Sequence, residues 1–207
     1  MDITEFKEPR THVIIKDFLT EDEQEKIWEE IKENESNFST GLYQKDGNEE
    51  VHEDIKNNLQ YNVTDTQPDI MESDIRSMFY FKIFKEPKMM RIFKTAKSPI
   101  YQLLSHTIRD NTKVSAYSEG DFYDWHVDTS QKGLLTVLYM ICKEPKKFTG
   151  GELVLKWDGI EKSIPFENNT ILIFARNTPH KVKKIKLESD DFYDRRFTIQ
   201  CWSEFGF

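Results

Sequence analysis

From Asn111 onward the chain breaks into short β-branched or alternating stretches separated by turn signals, a spacing that suits a β-barrel and not a helical bundle. Segments 113–118, 122–128, 134–142, 152–157, 160–166, 170–174, 180–187 and 196–203 read as about eight strands. Trp157-Asp158-Gly159-Ile160 reads as a two-residue hairpin, because Asp-Gly tolerates the two positive φ angles such a turn needs.

The first half is patterned differently. Residues 12–18 alternate and read as a strand. Thr20-Glu21-Asp22-Glu23 is a capping box opening a helix that runs to about Asn34. Residues 35–68 are polar, with a short helix expected over 49–59. Two apolar helices follow, over 69–84 and 88–106, divided by Glu86-Pro87, with an interruption expected at Ser98-Pro99. Helices first and antiparallel strands after predict an α+β, mainly β fold: a double-stranded β-helix, or jelly-roll barrel, with the helices packed outside. No internal repeat is visible. One domain is expected over 1–207, with 1–112 as strand and helical support and 113–207 as the barrel core.

Hydrophobic residues make up 37% of the 207 and include fifteen Phe, enough to fill a core with large rings. No window approaches eighteen apolar residues and the N-terminus lacks a signal-peptide pattern, so neither a membrane span nor export is expected. With only Cys142 and Cys201, a reducing, cytoplasmic setting is expected, and both read as buried small hydrophobes. Residues 1–75 carry 7 basic and 21 acidic side chains, and residues 76–207 carry 22 and 16. The second part is therefore positive, which favours an anionic small molecule there without implying nucleic-acid binding.

That positive part contains His126-Val127-Asp128, then His180, then Arg196 at the head of a strand. Two histidines and one carboxylate are the ligand set of a facial triad that holds Fe(II) and leaves positions open. Residues i and i+2 of a strand share a face, so His126 and Asp128 would both project into the barrel mouth. His180 would complete the set from the facing sheet. Taken alone, a His-x-Asp pair is weak, since one arises by chance about half the time in a chain of this composition. On the last strand Arg196, Thr198, Gln200 and Trp202 share one face, and Phe197, Ile199 and Cys201 the other. Arg196 rather than Arg195 would then face the interior, where its planar fork suits a carboxylate.

Tyr117, Gly120, His126 and Asp128 are followed in order by Leu135-Thr136-Val137-Leu138-Tyr139, Gly150-Gly151-Glu152-Leu153, Thr178-Pro179-His180 and the run from Arg196 to Trp202. This ordered set resembles the 2-oxoglutarate- and Fe(II)-dependent oxygenases, in particular the prolyl 4-hydroxylase-like branch, over about residues 113–203. The resemblance implies that His126, Asp128 and His180 bind iron. It implies that Arg196 binds the distal carboxylate of 2-oxoglutarate, aided by the Tyr139 hydroxyl. Tyr117 would lie beside the co-substrate, and Thr198 and Trp202 would line the pocket. The implied reaction is hydroxylation of an unactivated C–H with release of succinate and CO2. The expected substrate is a prolyl or other residue of a peptide or protein, the oxidant is O2, and ascorbate is a candidate reductant. An aspartate at 128 implies hydroxylation over halogenation.

Two features depart from the branch. No glycine stands shortly before Arg196, and 188–194 reads as an inserted acidic hairpin loop. A free amino acid or small metabolite is the competing substrate class. A metal-binding jelly roll without oxygenase activity would explain the histidines but not Arg196 with Tyr139. Nucleic-acid dealkylation is disfavoured, because Trp202 stands where that branch carries a second arginine. Of the remaining features, 181–187 reads as a solvated lysine face and 143–147 as a hairpin loop. Trp125 reads as core packing, and Asp124 as a turn residue in preference to a support for the metal ligands. His12, His52 and His106 read as structural.

Overall fold

The structure, a computed structural model, describes all residues except 46–47, 97, 108, 129–132 and 205–207. The strands in chain order are β1 (Asp2–Phe6), β2 (His12–Lys16), β3 (Ser39–Thr40), β4 (Tyr43–Lys45), β5 (Asn48–Glu50), β6 (Lys56–Asn57) and β7 (Leu59–Asn62). Then come β8 (Arg109–Tyr117), β9 (Phe122–His126), β10 (Gly133–Ile141), β11 (Phe148–Gly150), β12 (Leu153–Trp157) and β13 (Ile160–Ile164). The last are β14 (Thr170–Ala175), β15 (His180–Val182), β16 (Ile185–Leu187) and β17 (Arg196–Glu204). The α-helices are α1 (Glu21–Glu33), α2 (Val63–Thr66), α3 (Asp74–Phe79), α4 (Pro87–Thr95) and α5 (Pro99–Gln102).

Eight strands form the major sheet in the order β1-β2-β14-β10-β17-β8-β7-β3. Five form the minor sheet, β13-β12-β15-β9-β6, with the pair β11-β16 beside it. The expected jelly roll is present, and the helices pack outside the major sheet. The N-terminal half does more than support the barrel. It adds β1 and β2 to one edge of the major sheet, β7 and β3 to the other, and β6 to the minor sheet.

Period-2 alternation assigns the two faces of the major sheet. Phe197, Ile199 and Cys201 of β17 and Leu135, Val137, Tyr139 and Ile141 of β10 join the helices in one buried cluster. Leu138 and Met140, with Leu172 and Phe174 of β14, join a second cluster inside the barrel. Helix α1 docks through Ile27, Trp28 and Ile31, with the Trp28 ring edge-on to Phe197 at 5.2 Å. Its capping box closes as the sequence predicts: Glu23 N–H donates to Thr20 Oγ1 at 3.3 Å and Thr20 N–H to Glu23 Oε2 at 2.8 Å. Buried Glu30 ties α1 to α3, accepting from Ser73 Oγ and Ile75 N–H, both at 2.8 Å. The buried Arg76–Asp110 ion pair (2.9 Å) then fastens α3 to the start of β8.

Several sequence expectations are corrected. The helix expected over 49–59 is absent; this region supplies β5, β6 and a turn, and the strand β7 begins at Leu59. Its polar residues find backbone partners on β4 and on the β9 edge of the minor sheet, an option that local propensity does not reveal. The expected strand over 180–187 is two strands, β15 and β16, which pair with different neighbours. Segment 188–194 is no hairpin, because β16 pairs with β11 while β17 pairs with β10 and β8. It crosses between sheets, with a turn of 3-10 helix at Phe192–Asp194. Segment 143–147 likewise joins β10 of the major sheet to β11 of the two-stranded pair β11-β16. The Asp158-Gly159 hairpin is present, with φ of 50° and 78°. Cys142 and Cys201 are free and buried. Among the described residues, no helix is long and apolar enough to cross a membrane.

His12 is fully buried, stacked on Phe6 at 5.1 Å, with Nδ1 2.9 Å from the Arg10 carbonyl and Nε2 unpartnered. Burial lowers its pKa below the ordinary 6.5, the Arg10 carbonyl opposing and Lys162 adding to the shift. The folded state thus holds His12 neutral, while the unfolded chain takes up a proton near 6.5. The stability His12 contributes is full above that pH and is lost as the pH falls toward its folded pKa. Urea denaturation of wild type and His12→Phe between pH 7.5 and 5 should show the variant losing less stability on acidification. Equal slopes would refute this account.

Candidate active site

Strands β9 and β15 are antiparallel neighbours in the minor sheet, and His126 and His180 are direct partners across them. His180 therefore comes from the same sheet as His126, not from the facing one as expected. The two rings lie 4.0 Å apart between centroids. Asp128 lies just beyond the end of β9, where its N–H donates to the Arg176 carbonyl at 3.1 Å. That bond pins the loop after β9 to the end of β14 and turns the carboxylate inward. His126 Nε2 is 4.0 Å from Asp128 Oδ1, and His180 Nε2 is 3.9 Å from Asp128 Oδ2. One ligand atom from each residue lies within 4.8 Å of the others, close enough to share one ion.

Each histidine is oriented by a backbone carbonyl. His126 Nδ1 lies 2.8 Å from the Asp124 carbonyl, and His180 Nδ1 lies 2.9 Å from that of Thr178. A carbonyl only accepts, so each Nδ1 carries the proton and each Nε2 presents its lone pair. Asp124 is thus a strand residue whose carbonyl acts here, not a turn residue. Burial, reinforced by nearby His180, holds the His126 pKa well below its ordinary value and favours the neutral, metal-ready ring. Burial acts against the Asp128 carboxylate. His180, His126 and the Thr136 hydroxyl at 2.5 Å outweigh it, and the pKa lies below the usual value.

Arg196, the first residue of β17, is fully buried. Nε donates to the Gly151 carbonyl at 2.9 Å and Nη1 to the Thr198 hydroxyl, while Nη2 is buried without a partner. Burial lowers its pKa to about 10, opposed by Tyr117, Cys142 and Glu152, so it stays a cation at neutral pH. Its guanidinium sits 5.0 Å from the Tyr117 ring centroid and 5.1 Å from that of Phe166. Gly151 creates the space: its φ is +70°, and a Cβ there would meet Arg196 Cδ at 2.7 Å. Thr198 therefore supports the arginine. Trp202 lies six residues along β17, opposite Thr136, at the mouth.

Tyr139 corrects the expected set. It faces the helices, edge-on to Phe79 at 5.3 Å, and its hydroxyl donates to Asn169 Oδ1 at 3.0 Å. Its register partner is Ile199, on the face opposite Arg196. Met140, one residue on, faces the barrel and opposes Thr198. Trp125 is also corrected: it is partly exposed on the outer face, with Lys156 and Lys181 nitrogens 5.4 and 4.6 Å from its ring. Sequence reasoning missed Tyr123, whose ring stacks on His126 at 3.4 Å. Its position three residues before His126 gives no alternation signal: the register between β9 and β15 shifts between Tyr123 and His126, and that irregularity puts both rings on one face. Asn58 and Arg176 were missed as well; the polar atoms of the Asn58 amide are buried without partners.

A family model described as the 2OG-Fe(II) oxygenase superfamily matches residues 112–204. An uncharacterized PKHD-type hydroxylase from Synechocystis is 30% identical over 104 residues, which is 44% of this chain and 34% of that protein. The aligned part thus spans about a third of the relative's length. A Pseudomonas putida prolyl-4-hydroxylase superimposes with a TM-score of 0.65 at 15% identity, covering 93% of this chain and 92% of that one. A Trichoplax adhaerens prolyl hydroxylase, solved with a hypoxia inducible factor oxygen degradation domain peptide, gives 0.63 at 19%, covering 93% and 83%. At such identities these likenesses show the fold alone. The superfamily implies Fe(II) and 2-oxoglutarate, and the residues present fit both. Two borderline imidazole nitrogens and one carboxylate are a donor set that suits Fe(II), and Arg196 presents an unpaired buried donor for an anion.

Gly151→Ala should displace Arg196 and cost about 1–3 kcal/mol, measurable by urea denaturation. Tyr139→Phe should lose about 1 kcal/mol of stability with 2-oxoglutarate affinity within about twofold of wild type. A large loss of affinity in Tyr139→Phe would restore the hydroxyl to the co-substrate pocket.

Proposed function

We propose that this protein is an Fe(II)- and 2-oxoglutarate-dependent dioxygenase that hydroxylates a prolyl or other residue of a peptide or protein. The observation that carries this reading is the joint placement, inside one barrel, of the His126-Asp128-His180 cluster and a buried arginine with an unpaired N–H. A metal-binding barrel without oxygenase chemistry has no use for that arginine. The fold shared with prolyl hydroxylases, one of them solved with a peptide, supports the peptide or protein substrate.

In this reading His126, Asp128 and His180 hold Fe(II), with the Thr136 hydroxyl fixing the carboxylate. Bound iron with 2-oxoglutarate and O2 supplies oxidative decarboxylation of the co-substrate to succinate and CO2, coupled to conversion of a substrate C–H to C–OH. Arg196 takes the distal carboxylate through Nη2, and Thr198 and the Gly151 carbonyl hold its guanidinium in register. Tyr117 closes one side of that pocket. Leu138, Met140 and Phe174 keep the interior apolar, which strengthens the arginine's grip by excluding water. Tyr123 fixes the plane of the His126 ring. Trp202 lines the mouth, where substrate enters. The chain acts in this reading as one domain.

Anaerobic titration with Fe(II) and 2-oxoglutarate should produce the weak visible charge-transfer band of a chelated 2-oxo acid. The band should vanish in His126→Ala and His180→Ala. Arg196→Ala should raise the 2-oxoglutarate Kd by about 10- to 150-fold, the worth of one charge-assisted hydrogen-bonded contact. Absence of the band in wild type, or unchanged affinity in Arg196→Ala with the fold intact by circular dichroism, would overturn the reading.

A further inference from the structure

A second buried arginine stands at the other end of the site. Leu172 and Phe174 of β14 face the barrel interior, and Phe174 packs on His180 at 4.9 Å. Arg176, two residues on, continues that face at the mouth. It is 7% exposed, and its Nε and Nη1 are buried without a hydrogen-bond partner. Its guanidinium carbon lies 5.8 Å from the Trp202 ring centroid. Its own carbonyl accepts from Asp128 N–H, so the residue is fixed beside the metal cluster. Leaving two guanidinium donors unpaired in a buried place costs stability, and a ligand that pairs them recovers it.

Charge decides what that ligand is. Fe(II) (+2), Asp128 (−1), 2-oxoglutarate (−2) and Arg196 (+1) sum to zero, leaving the Arg176 cation without a hydrogen-bonded counter-ion on its Nε–Nη1 edge in the loaded site. Glu204, at the end of β17, is the other acid whose charge favours the cation, but the Nε and Nη1 donors stay without a partner among the described residues. We propose that Arg176 is a specificity-determining residue that grips a carboxylate of the substrate through its Nε–Nη1 edge, holding the substrate against Trp202. This rests on the oxygenase reading. The carboxylate has two possible sources: an acidic side chain near the target residue of a peptide, or the α-carboxylate of a free amino acid.

The test uses the 207-residue chain loaded with redox-inert Zn(II) and 2-oxoglutarate. Calorimetric titration compares matched probes: acetyl-capped prolyl peptides with Asp or Glu up to three residues from the proline, their Asn or Gln twins, and L-proline against L-prolinamide. At least one carboxylate probe should bind about tenfold or more tightly than its amide twin. That preference should vanish in Arg176→Gln and shrink in Arg176→Lys, which keeps the charge but loses the fork. A preference confined to the peptides assigns the side-chain source, and one confined to L-proline assigns the α-carboxylate. The Fe(II)/2-oxoglutarate band should form in both variants as in wild type. No carboxylate preference in wild type, a preference that survives in Arg176→Gln, or loss of the band in the variants would overturn the proposal. Absence of the band in wild type would instead sink the oxygenase reading on which it rests.

Discussion

The antiparallel pairing of β10 with β17 is the constraint on which the rest of this molecule depends. Val137, Tyr139 and Ile141 oppose Cys201, Ile199 and Phe197, so one face of both strands is apolar and takes the helices. Thr136, Leu138 and Met140 oppose Trp202, Gln200 and Thr198, so the other face lines the barrel. A slip of one residue would bury the helix-facing side chains in the pocket and turn Arg196 onto the helices. The aromatic packing of Trp28, Phe38 and Phe192 on Phe197 opposes such a slip through many contacts at once.

The candidate metal cluster inherits its geometry from both sheets. The minor sheet aligns the two histidines as cross-strand partners, and the backbone carbonyls of Asp124 and Thr178 fix their tautomers. The major sheet supplies the Thr136 hydroxyl and the Arg176 carbonyl that hold Asp128. Barrel closure is thus a condition for the triad. It also buries two arginines at opposite ends of one interior, each with unpaired N–H groups. In a low-dielectric interior such donors favour anions strongly.

Much of this was legible in the sequence because the signals are local. The capping box at Thr20 and Glu23 and the hairpin at Asp158-Gly159 are set by a few adjacent residues, and both form as read. The β17 alternation placed Arg196 inside and Phe197 outside by period alone. The failures share one cause, the pairing partner. Residues 49–59 have no strand pattern of their own and become strands because sheet edges need partners. Tyr139 was assigned through its family position, while its register against Ile199 puts it on the opposite face. Segments 143–147 and 188–194 look like hairpins in one dimension, yet the strands they join lie in different sheets.

By itself the sequence determined the fold class, the positions of most core strands, the candidate ligands and the inward face of the last strand. Each follows from short-range periodicity or from the few residue types able to bind a metal or a carboxylate. The tertiary structure alone decided which sheet carries each ligand, which tyrosines reach the pocket, and that Arg176 points inward unpaired. Those are questions of strand order and register between residues far apart in sequence, such as His126 and His180. Such distances close only when the barrel does.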